Sequence, residues 1–110
     1  MDISINAPPA VTAGSTLTYY VALLNTSTAT YDLGQCPDYV EMLREKQPVA
    51  EFQLNCAGVG AIAPGESVTF QMRLAIPVTV SAGVNTLTWA LIDGRLSIPT
   101  VSTPVEIVDG

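Results

Sequence analysis

Between Ser67 and Ile76 every second residue is apolar. Val68, Phe70, Met72, Leu74 and Ile76 alternate with Ser67, Thr69, Gln71, Arg73 and Ala75. A period of two places one set on each side of an extended strand. The same rhythm sets Leu17, Tyr19, Val21 and Leu23 against Thr16, Thr18, Tyr20 and Ala22. It returns as Leu87, Trp89 and Leu91 against Thr86, Thr88 and Ala90, and as Ala50, Phe52, Leu54 and Cys56. Ile3 and Ile5 begin it. Helical periodicity is nearly absent. Half-polar strands of this kind bury one face each. That selects paired antiparallel sheets over a parallel sheet, whose strands are continuously apolar.

Breaks in the rhythm mark the turns. Pro8-Pro9 ends the first strand, because proline cannot donate to a ladder. Ala13-Gly14 is a turn, and Asn25 to Thr30 is a hydroxyl-rich turn or strand start. Ala57 to Ala63 reads as a small-residue loop. In Ala63-Pro64-Gly65-Glu66, proline at the second position and glycine at the third is type II chemistry. Pro77 to Gly83 is a loop, and Asp93-Gly94 is a hairpin signal of the primed type. Tyr39 to Glu45 reads as a short strand. One helical turn, with Asp38 as N-cap, is the competing assignment. Pro99 and Pro104 assign the last strand, Leu96 to Val108, to an edge or a bend.

The whole predicts an all-β fold: an antiparallel β-sandwich of about seven strands, one domain over residues 1–110. A small closed barrel is the competitor. Phe70 and Trp89 fall on the inward phase and are expected in the core. The chain starts almost at once with a strand and stops just after one. It is therefore expected to be a domain excised from a longer protein, with Met1 an added start.

Charge and composition exclude several function classes. There are 10 acidic residues, 4 basic residues and no histidine, for a net charge of −6. Nucleic-acid binding needs a basic stripe to neutralise phosphates, and four scattered cations make none. Without histidine the commonest general base and metal ligand are missing. Two cysteines alone cannot complete a zinc site. The uncharged stretches Ile3 to Tyr31 and Leu74 to Ile92 are cut by prolines and glycines. Neither is the run of about 20 apolar residues that a spanning helix requires. No membrane insertion by this segment is expected, although flanking sequence could anchor it. No basic and apolar leader pattern begins the chain.

Cys36 and Cys56 are either a disulfide or two separate buried thiols. The disulfide is the expected state: Cys56 is in phase with Phe52 and Leu54, and the Gly-Gln-Cys-Pro stretch around Cys36 has little else to anchor it. A disulfide implies an oxidising compartment. No CxxC redox motif is present.

Other constellations read as structural. Lys46, the only lysine, sits beside Glu45 in a polar turn and is expected to be solvated. Asp32, Asp38, Glu41 and Glu45 could supply paired carboxylates. Asp32 and Asp38 could also face a calcium ion, but without the ligand spacing of a known loop. No metal and no cofactor is expected. Asn25-Thr26-Ser27 matches a glycosylation acceptor, with strand-end turn chemistry as the competing role.

The segments Gly14-Ser15-x-Leu17-x-Tyr19-x-Val21-x-Leu23-x-Asn25-Thr26, Cys36-Pro37-x-Tyr39 and Leu54-Asn55-Cys56 belong together. With Pro64-Gly65-Glu66-Ser67-Val68-x-Phe70-x-Met72-x-Leu74 and Leu87-x-Trp89-x-Leu91, they cover nearly the whole chain. This pattern resembles the immunoglobulin-like domains of bacterial exported and membrane-tethered proteins, many without an assigned role. A more distant similarity, carried by Leu-x-Asn-Thr, is to sandwiches of the bacterial proteinase-inhibitor type. The antibody pattern is departed from, since Trp89 follows both cysteines instead of standing between them. The resemblance implies an extracytoplasmic module, secreted or at the cell surface, and implies no catalysis.

The expected role is therefore non-enzymatic: a structural or protein-interaction module meeting a protein or cell-surface partner, with no nucleic acid. The alternative is a ligand-binding module, inhibiting a proteinase or binding a glycan. The candidate contact loop holds Tyr31, Asp32, Pro37, Asp38 and Tyr39, with Cys36 and Cys56 to stiffen it. Packing under the loop is the competing role of its two tyrosines. A free sheet edge could also accept a partner strand.

Overall fold

The inward residues named above become the core. Leu17, Tyr19, Val21 and Leu23 are all buried, as are Phe70, Met72, Leu74 and Ile76, and Leu87, Trp89 and Leu91. A computed structural model of the chain describes residues 1–33, 36–43, 50–53, 60–92 and 100–109, with side chains left aside at 50–52. Among these residues every regular element is a strand. They are β1 (Asp2–Asn6), β2 (Ala10–Thr12), β3 (Thr16–Leu24), β4 (Tyr31–Asp32), β5 (Asp38–Leu43), β6 (Ala50–Gln53), β7 (Ala61–Ile62), β8 (Ser67–Ala75), β9 (Gly83–Ile92) and β10 (Val101–Val108).

Two sheets enclose the core. One has the order β1-β3-β8 and the other β2-β10-β9-β5-β6; β4 and β7 form a short pair of their own. Strand order and alternating burial make this an immunoglobulin-like sandwich. Residues 39 to 43 are strand, not helical turn: β5 pairs antiparallel with both β6 and β9.

Local chemistry explains the turns. Gly65 has φ 79°, and Glu66 N–H donates to Ala63 C=O at 2.9 Å, which closes the type II turn. Gly14 has φ 87°, and a Cβ there would lie 2.7 Å from Val78 Cγ1. Both the backbone and the space at position 14 thus call for glycine.

Three features depart from the sequence expectation. The small-residue stretch up to Ala63 contains β7, whose Ile62 is buried. β2 and β10 run parallel, so the second sheet is mixed. The chain reaches β2 from the opposite sheet across Ala7-Pro8-Pro9, where the two prolines release it from the β1 ladder. Pro9 C=O then accepts from Glu106 N–H at 2.9 Å. β10 is also not a simple edge. It lies between β2 and β9, although β2 covers only its last three positions, Glu106 to Val108. Pro104 pairs with Thr86 before that overlap begins, so its missing N–H leaves no β2 carbonyl unmet. Pro99 and the Asp93-Gly94 hairpin lie outside the described residues. No helix among the described residues is long and apolar enough to cross a membrane.

Candidate functional site

Three strands bring polar side chains together inside the sandwich. The phase of β5 that carries Tyr39 and Leu43 also carries Glu41, so the rhythm that buries Leu43 buries a carboxyl. Glu41 is 1% exposed. It stands directly opposite Trp89 of β9. From the facing sheet, Tyr19 of β3 donates its phenol proton to Glu41 Oε2. Glu41 Oε1 and Trp89 Nε1 are both buried without a hydrogen-bond partner. The Tyr39 ring stacks on Trp89, with centroids 5.6 Å apart and planes inclined by 22°.

The electrostatics follow from this enclosure. Burial pushes the Glu41 carboxyl above the ordinary carboxylate range, and the Tyr19 hydrogen bond opposes that shift. Burial pushes the Tyr19 phenol far above its ordinary value. Its hydrogen bond to Glu41, and then the Glu41 charge, add to this. Tyr39 is raised by burial and then by the same charge. A carboxyl of raised pKa has the protonation chemistry of a general acid. This one is almost wholly shielded from solvent.

Tyr39 joins this cluster to the candidate contact loop. Tyr31 and Asp32 form β4 and pair with Ile62 and Ala61. Tyr31 is buried and takes the packing role, whereas Asp32 is exposed. Leu33, also buried, donates its N–H to Gly60 C=O at 3.0 Å. Cys36 N–H donates to Leu33 C=O at 2.8 Å, and Gln53 Nε2 donates to Cys36 C=O at 3.3 Å. Pro37, Asp38 and Tyr39 are half-buried. The loop is thus tied down at Leu33 and at Tyr39. The pairing expected between Cys36 and Cys56 lies outside the described residues, as do Lys46 and Glu45. Among the described residues, no three or more Cys, Asp or Glu side chains lie together as a metal ion would need.

Asn25 is structural. It is 2% exposed. Its Nδ2 donates to Ala29 C=O and Ile62 C=O, both at 2.8 Å. Its Oδ1 accepts from Ser27 N–H at 3.0 Å and Ser27 Oγ at 2.8 Å. The amide has no free hydrogen, so the glycosylation match gives way to turn chemistry. Sequence reasoning named Glu41 only among four acids that could supply paired carboxylates, and its burial is the feature that reasoning missed. Its signal was present in the phase it shares with Tyr39 and Leu43.

No protein-family profile matches the sequence, and no curated protein matches it. Solved structures do. A domain of red sea bream transglutaminase superposes with TM-score 0.73 at 18% identity, over 98% of this chain. The chain spans 15% of that enzyme's length. The CARDB domain of PF1109 from Pyrococcus furiosus gives TM-score 0.64 at 11% identity, covering 96% of this chain and 92% of that one. The C-terminal domain of wzt gives 0.56 at 12% identity, covering 99% and 72%. Identities this low establish the fold class, an immunoglobulin-like β-sandwich, and nothing narrower.

Proposed function

We propose that this chain is a non-enzymatic, extracytoplasmic interaction module. One observation carries this reading. The groups with the most perturbed chemistry, Glu41 and Tyr19, are sealed in the core, while the Cys36–Tyr39 segment is fastened to that core by the Tyr39–Trp89 stack. A rigid frame with a loop held on it suits recognition, not turnover. A Cys36–Cys56 bridge completes the proposal, by fixing the loop from its other side. No described cysteine is a free thiol, which supports the bridge.

Two measurements test the reading. Intact mass with alkylation in the absence of reductant should show no labelled thiol; two labelled thiols would refute the bridge. A photo-crosslinker at Asp38 should join the chain to one defined surface protein of its native source. The same group at Thr69, on the opposite sheet, should not. Equal labelling from both positions, or none, would refute the loop as the contact surface.

A further inference from the structure

The outer face of the three-stranded sheet has a relief that the strand register makes explicit. Asn6, Tyr20 and Gln71 lie in one row across β1, β3 and β8. The next row is Ser4, Ala22 and Thr69, and the one beyond it is Asp2, Leu24 and Ser67. Tyr20 and Leu24 stand up from β3 and are exposed, while Ala22 between them is short. The middle row is therefore the floor of a trough between two ridges, about 14 Å apart at 3.4 Å per residue. The hollow at its Leu24 side, bordered by Asp2, Ser4, Ala22 and Ser67, measures about 540 Å³. Beyond Tyr20 a second hollow of about 480 Å³ is walled by Asn6, Pro8, Pro9 and Thr18. One aromatic ring thus separates two depressions on a single face.

The chemistry of this face narrows its occupant. In a chain of net charge −6, these rows hold one charged side chain, Asp2, at the far end. Arg73 lies beyond the Tyr20 row, opposite Thr18. An anionic polymer is repelled by the molecule as a whole, and a cationic one finds no acidic cluster here. What the rows offer instead are hydroxyls and amides. Each of these groups can both donate and accept, as sugar hydroxyls do. Tyr20 adds a ring whose electron-rich face suits the C–H side of a pyranose. We propose that this trough binds a neutral oligosaccharide, with Tyr20 stacking on a sugar ring and Asn6 and Gln71 bonding its hydroxyls. This site is on the sheet opposite the contact loop and does not depend on that loop's role.

Affinity electrophoresis of the whole chain through soluble neutral glucans, mannans and galactans tests this. At least one should retard the chain, to the same extent at low and high salt. Tyr20→Ala should weaken binding about tenfold or more, the loss of one aromatic stack. Ala22→Arg, which fills the trough, should abolish it. Both variants should keep the thermal unfolding of the parent, because positions 20 and 22 face outward. Amide chemical shifts on titration with the retained oligosaccharide should move at Asn6, Tyr20 and Gln71. Lack of retardation by every polysaccharide, or retardation that Tyr20→Ala leaves intact, would overturn the proposal. So would shift changes confined to the Cys36–Tyr39 loop, or a peptide that occupies the trough where no sugar does.

Discussion

Glu41 shows how one side chain sets a solvent dependence for the whole protein. Its carboxyl gains one partner in the core, Tyr19, and leaves a second oxygen unpaired, as is the indole N–H of Trp89. Among the described residues, Tyr19 of β3, Tyr39 of its own strand and Trp89 of β9 stand around it, and none of these carries a charge at neutral pH. Folding therefore favours the protonated acid. Its contribution to stability is complete at pH values below the ordinary carboxylate range. That contribution is lost as pH rises through the elevated folded-state pKa. Chemical denaturation across acidic to neutral pH should show stability falling in that window, and Glu41→Gln should flatten the fall and leave the neutral-pH protein more stable. An unchanged slope in Glu41→Gln would contradict the assignment. Tyr19→Phe removes the one donor and should cost about 1–3 kcal/mol, the penalty of an unsatisfied buried group. Its cost should grow with pH.

At the scale of elements, the strands and most turns were readable because alternation and turn chemistry are local. Leu17 to Leu23 and Val68 to Ile76 needed only their own rhythm, and Ala63 to Glu66 only its proline and glycine. Three features were not local. The parallel pairing of β2 with β10 joins residues nearly a hundred positions apart. β7 is two residues long and exists because Ile62 has a pocket to fill and Tyr31 to pair with. The burial of Glu41 is complete because Tyr19 of the facing sheet covers it, a contact between residues 22 positions apart, although its phase with Leu43 is local. Of the candidate contact residues, sequence placed Asp32, Pro37 and Asp38 within reach of solvent but could not separate Tyr31, which is packed, from Tyr39, which is half-buried. Asn25 links several of these pieces. Its side chain holds the 25–30 turn to β7. Its backbone N–H donates to Glu66 C=O, and its own C=O accepts from Gly65 N–H. Asn25→Ala should lower stability by about 1–3 kcal/mol, chiefly by removing the donor to the buried Ile62 carbonyl. The loss should appear in a urea melt with an unchanged slope, as expected when the fold is weakened and not rearranged.

For the whole molecule, two sheets meet over a core centred on Trp89, which is fully buried. Trp89→Ala should cost about 3–5 kcal/mol, as truncation of a core aromatic does. The fluorescence of the parent should be blue-shifted and shift red only on unfolding. The two surfaces proposed for recognition lie on opposite sheets, so one copy could engage a protein and a sugar chain together. Such a linker would come under tension, and the parallel β2–β10 pair determines how it answers. A pull on the two ends drags β2 backward and β10 forward along their common axis. The bonds from Pro9 to Ala13 must then slide and fail together instead of opening one at a time. Force spectroscopy on a tandem array should record a high, abrupt rupture, and Val11→Pro should lower it. The three-residue strand β2 is, by this geometry, the molecule's mechanical latch.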